Sequence, residues 1–186
     1  SSCRVQVFFR TGLRLNDPDS IALRVACMIL TNGFHSRLYR TLRTDMGLVY
    51  YVSASVASEA TMTSMSRAAI VTECAAPNVT FVVRHILKEI DALASEAPTS
   101  DEIARARNSL RIDQLRMRQG RCPEHIAATY GHSLLKYGHV QGEERVVQMM
   151  NAVDADAISS AVRSRMRVPF VVCGGEDPPD LEGVFQ

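Results

Sequence analysis

The chain has 186 residues, 46% of them hydrophobic and 22% charged, which is enough for one well-buried core and lies outside the compositions of disordered or membrane-spanning chains. A formal net charge of +1 supplies no whole-molecule field to recruit nucleic acid or anionic lipid, so any such role needs a local patch. Only Lys88 and Lys136 are lysines, the other basic residues being arginines; codon bias accounts for this at least as well as bidentate anion binding does.

The chain opens at Ser1 and enters the alternating run Val5, Val7, Phe9 almost at once, which predicts a strand and the expectation of a piece of a longer protein. "NDPDS" supplies turn and helix-start chemistry in Asp17, Pro18, Asp19 and Ser20. Ile21, Ala22, Val25, Ala26, Met28, Ile29 and Leu30 then predict a mostly buried helix ending at Asn32-Gly33. Ser36 is placed to cap a second, shorter helix with Leu38, Leu42 and Met46 on its apolar side and Gly47 as its stop. Arg40 and Arg43 fall near its C-terminal end, where the helix dipole favours cations. From Leu48 the period becomes two: Tyr50, Val52, Ala54 and Val56 share one expected face, and Tyr51, Ser53 and Ser55 the other. A turn at "SEAT" and a second run from Met62 to Cys74 complete an expected β-hairpin.

After Pro77 and Asn78, the apolar positions Val79, Val82, Val83, Ile86, Leu87, Ile90 and Leu93 recur at helical spacing. Thr99 with Glu102 reads as a capping box opening an arginine-bearing helix that runs to about Gly120. Further helices are expected over 123–137, closed by Gly138, over 143–151, and over 154–167 capped by Asp154. An apolar strand from Val168 to Cys173 closes at Gly174-Gly175, before the polar tail "EDPPDLEGVFQ". The expected architecture is α+β: two layers, a mixed or antiparallel four-stranded sheet with helices on one face, forming a single domain over 1–186.

Self-contained catalytic motifs are missing. Five widely spaced cysteines without a CxxC suggest neither a disulfide framework nor a zinc ribbon, and fit a reducing compartment. His35, His85, His125, His132 and His139 make no HxH, HxxxH or HExxH. The seven-residue spacing of the last three spreads them over about 10 Å per step, too far to share one zinc. "RCPEH" has arginine where an HxxEH motif needs its first histidine, and Pro123 where that motif needs helix interior. There is no GxSxG, GxGxxG or P-loop, and no apolar run of membrane-spanning length. Arg105, Arg107, Arg111, Arg116, Arg118 and Arg121 form a basic run, but interleaved Asp113 and the lack of nearby aromatics favour a solvated or partner-facing helix over an RNA face.

"ILTNGFHSRLYRTLRTDMGLVYYVSASV" resembles the C-terminal, zinc-free domain of the pitrilysin/insulinase family of inverzincin metallopeptidases, a family that includes mitochondrial processing peptidase and the core subunits of the bc1 complex. "NDPDSIALRVACMIL" is similar to the helix before the family's small-residue turn, "PTSDEIARARNSLRIDQL" to its next long helix, and "VDADAISSAVRSRM" with "PFVVCGG" to its terminal helix and strand. The turn "TNGF" departs from the family's glycine run and keeps only Gly33.

The resemblance implies that zinc, its HxxEH ligands and the general base come from a homologous partner domain or subunit, with no metal or complete catalytic set in this chain. It implies a substrate-binding half that closes a chamber on a peptide or unfolded segment and presents Arg43 and Tyr50 to a backbone carbonyl, in a mitochondrial protein if eukaryotic and a cytoplasmic one if bacterial. An oxyanion develops on that carbonyl, and preorganised donors beside the metal stabilise it. The residues alone leave Arg43 open as a helix-end cation and Tyr50 as a core-rim tyrosine. Two other functions stay open: a non-catalytic structural subunit like the bc1 core proteins, and an RNA- or partner-binding domain using the arginine helix.

Overall fold

In the computed structural model of the chain, which describes residues 1–13, 17–57, 66–119, 123–140, 143–175, 178 and 181 and only some side chains between 113 and 146, the first apolar run becomes a central strand. In β1 (Ser2–Arg10) the alternating residues Cys3, Val5, Val7 and Phe9 are buried. With β2 (Val49–Ala57), β3 (Arg67–Ala75) and β4 (Pro169–Gly175) it forms one sheet ordered β2-β3-β1-β4, antiparallel at every pairing. Opposite β1, the residues Ala68, Ile70, Thr72 and Cys74 of β3 are buried on the same face. This is the expected α+β sheet, resolved as antiparallel throughout. The last strand differs from expectation by continuing through both glycines. Gly175 lies opposite Cys3, and a Cβ there would stand 2.8 Å from the Cys3 Sγ and 2.9 Å from the Ser2 carbonyl oxygen, so glycine is what lets the strand continue.

Helices cover the apolar face. α1 (Asp19–Thr31) starts where the Asp17 carboxylate accepts from the Asp19 backbone N–H, and ends as the Asn32 N–H reaches the Met28 carbonyl. A 3-10 turn at Ala76–Asn78 leads into α2 (Val79–Ser95), whose Val79, Val82, Val83, Ile86, Ile90 and Leu93 are buried at the predicted spacing. Then follow α3 (Ser100–Gln119), α4 (Pro123–Tyr137), α5 (Glu143–Ala152) and α6 (Ala155–Arg165). α1 and α2 pack on the sheet, α6 packs on both of them, and α3 packs on α1. Asp154 caps α6 by accepting from the Ala157 N–H at 2.8 Å, and Gly138 closes α4 with φ +72. Arg165 binds Asp17 at 2.9 Å and Asp19 at 2.7 Å, tying the end of α6 to the start of α1. The "SEAT" turn, the start of the second hairpin run, Gly120 to Cys122 and most of the tail lie outside the described residues.

Candidate functional site

The segment between α1 and β2 departs from an ordinary helix. After Gly33, at φ +80, the Ser36 hydroxyl donates to the Gly33 carbonyl, and residues Tyr39–Asp45 wind as a π-helix. The Thr41 hydroxyl bonds back to the Arg37 carbonyl, a side chain competing with the helix's own ladder. At the exit the Met46 N–H reaches the Thr41 carbonyl (3.1 Å), the Gly47 N–H that of Arg43 (3.1 Å), and the Leu48 N–H that of Leu42 (2.8 Å). These closures are one residue wider than those of an ordinary glycine cap, and Gly47 takes the left-handed φ of +63 that such a reversal needs. Leu38 and Leu42 are fully buried as expected, each contributing roughly 2 kcal/mol of apolar burial. Met46 is not on that stripe; it is 42% exposed, because the helix ends at Asp45 and the chain turns away.

A second irregularity decides where the tyrosines point. Val49 pairs with Cys74 and Val52 with Thr72, so three steps on β2 match two on β3: a β-bulge containing Tyr50 and Tyr51. Its extra residue breaks the expected alternation. Val49 and Val52 are both buried, Tyr51 is half-buried, and Tyr50 is 77% exposed rather than sharing the core face of Val52. The buried Thr72 hydroxyl donates to the Tyr51 carbonyl, satisfying a group the bulge removes from the ladder.

The two irregularities deliver Arg43 and Tyr50 to one place. The Arg43 guanidinium carbon lies 4.4 Å from the centroid of the Tyr50 ring, and Nη1 donates to the Tyr50 backbone carbonyl. The guanidinium also lies 5.2 Å from the ring of Tyr39, which the sequence motifs did not single out although it sits four residues before Arg43 on the helix. The Phe34 and Tyr39 rings meet in a T-shaped contact at 5.4 Å, and Phe34 also lines a cleft of about 270 Å³ with Met28, Ile29 and Ile112. Two residues before Tyr39, Arg37 grips Glu102 of α3 with Nε at 2.7 Å and Nη2 at 3.1 Å. Hydrogen bonds from Arg37 and then Thr99 hold the Glu102 carboxyl well below its ordinary 4.5, at about 2. Chemically, the cluster is a cation held against an exposed phenol, and of the five N–H donors that lie in the plane of a guanidinium one Nη1 hydrogen goes to the Tyr50 carbonyl.

The other titratable groups offer less. His85 lies in α2 stacked on Phe81 and 3.8 Å from Glu89, and His35 is exposed; the side chains of His125 and His132 lie outside the described set. Burial pushes the Cys27 thiol up to about 12 and the Cys74 thiol up to about 11, which makes both poor nucleophiles. Among the described residues no three His, Cys, Asp or Glu side chains stand close enough to hold a metal ion, and no helix is long and apolar enough to cross a membrane. Within the basic run, Arg107 donates to the backbone carbonyls of Asn151 and Val153 and so anchors α5. Arg105 and Arg111 are exposed, whereas the side chains of Arg116, Arg118 and Arg121 are outside the described set.

Solved structures share the whole architecture. The chain is similar to a peptidase M16 inactive domain from Pseudomonas fluorescens at TM-score 0.74 and 18% identity, over 97% of this chain but only 42% of that one. It is similar to a candidate zinc protease from Bordetella pertussis Tohama I at 0.76 and 15% identity, over 95% and 94% of the two chains. It is also similar to a chain of Complex III2 from Candida albicans, Inz-5 bound, at 0.80 and 16% identity, over 98% of this chain and 45% of that one. No curated protein matches it in sequence. At these identities the likeness establishes the fold, and the chain spans less than half the length of the Pseudomonas and Candida chains. Residues 1–110, which include the π-helix, the bulge and Arg43 with Tyr50, match the family described as the peptidase M16 inactive domain, and the chain belongs to that family.

Proposed function

We propose that the chain is the substrate-binding, zinc-free half of an inverzincin metallopeptidase, closing a chamber opposite an HxxEH-bearing domain or subunit. The observation that carries this reading is the Arg43 guanidinium held 4.4 Å over the ring of a Tyr50 that is 77% exposed. A tyrosine serving only the core rim would be buried on the face of Val52, and an arginine serving only the helix dipole would need no ring beside it. The partner half would bring the metal, which polarises the scissile carbonyl and activates water. Arg43 and Tyr50 would bind and orient that carbonyl, with the guanidinium edge and the phenolic O–H placed to stabilise charge as it forms.

A second reading, a structural subunit without catalytic duty, is supported by the likeness to the Complex III2 chain. An RNA-binding role has less support, since Arg107 is spent on backbone carbonyls. Peptide cleavage by the assembly of this chain with its zinc-bearing half separates the first two. On the catalytic reading Arg43→Ala lowers kcat about 100-fold to 1,000-fold with the fold intact. Near-wild-type turnover would make the chain a scaffold.

A further inference from the structure

Only one of the two tyrosine rings against the Arg43 guanidinium belongs to the pair discussed above; the other is Tyr39, 5.2 Å away and half-buried. Tyr39 is itself held, since its ring and that of Phe34 meet in a T-shaped contact at 90° and 5.4 Å. Phe34 is set by the turn in which Gly33 takes φ +80 and accepts the Ser36 hydroxyl. A series of contacts thus runs from the turn through Phe34 and Tyr39 to Arg43 and on to Tyr50.

We infer that Tyr39, buttressed by Phe34, is a positioning residue that holds the Arg43 guanidinium so that its free edge, rather than a face, meets a ligand oxygen. The inference rests on the reading of Arg43 as a substrate-carbonyl donor. Three restraints act on a side chain that would otherwise sample many rotamers: two rings and the Tyr50 backbone carbonyl, which takes one Nη1 hydrogen. A planar fork restrained in this way loses little freedom when it binds a carbonyl or carboxylate in its plane. The exposed Phe34, at 75%, takes on a role here that a glycine at that position could not perform.

Two readouts test the assignment. In the NMR spectrum of the chain, the Arg43 Hε resonance is shifted by ring currents; Tyr39→Leu moves it towards the ordinary arginine position, while Tyr39→Phe, which keeps the ring, leaves it in place. In peptide cleavage by the assembly with the zinc-bearing half, Tyr39→Leu lowers turnover about twofold to fivefold, the size of an exposed cation–π contact, and Tyr39→Phe restores it. An unmoved Hε resonance in Tyr39→Leu would overturn the inference. Turnover lost in Arg43→Ala but unchanged in Tyr39→Leu would overturn it alone, whereas turnover unchanged in Arg43→Ala would overturn the substrate reading and this inference together.

Discussion

Gly47 is the residue on which the site turns. It takes φ +63, and a Cβ added there would meet nothing within 4 Å, so Gly47→Ala isolates the backbone cost of a left-handed conformation, about 1 to 2 kcal/mol. Urea denaturation should show a loss of that size, and an unchanged midpoint would mean that the turn relaxes into another conformation. The glycine was legible in the sequence because a helix stop followed by a strand period is a local pattern. The placement of Tyr50 was not. Alternation assigns it to the face of Val52, and only the register against β3, where Val49 meets Cys74 and Val52 meets Thr72, reveals the extra residue that turns it outward.

Among the elements, α3 joins a capping box to an ion pair where it meets Arg37, just ahead of the π-helix. The Thr99–Glu102 capping box was readable from its spacing, and it forms: the Thr99 N–H donates to Glu102 at 2.9 Å, and the Glu102 N–H to the Thr99 hydroxyl at 3.3 Å. Its second duty was not readable, because Arg37 lies 65 residues away and no local pattern names a tertiary partner. Since the folded carboxyl titrates near 2 rather than its ordinary 4.5, its stabilising contribution is complete above about pH 4.5 and disappears as pH falls towards 2. Glu102→Gln should therefore lower stability by about 1 to 2 kcal/mol at neutral pH, with the difference from wild type shrinking through that acid window in thermal melts. A difference that stayed constant from pH 6 to pH 2 would assign the loss to packing or capping rather than to the charge.

In the whole molecule, the order of strands and helices followed from local periodicity, because nearly every element carries its own start, stop and apolar face. The sheet order β2-β3-β1-β4 did not, since it depends on non-local pairing of β1 with both β3 and β4. Likewise, family motifs pointed to Arg43 and Tyr50, but Tyr39 emerged only once the π-helix and the bulge had set the three side chains together. On the catalytic reading, Arg43 and Tyr50 act as one unit on one developing charge. A double-mutant cycle on peptide cleavage by the assembly with the zinc-bearing half tests it most directly, using kcat for wild type, Arg43→Ala, Tyr50→Phe and the double variant, with Tyr51→Phe as a control expected to change little. The catalytic reading predicts single losses of about 100-fold or more and a double loss well short of their product. Single variants with wild-type turnover, or losses that multiply in the double variant, would contradict it.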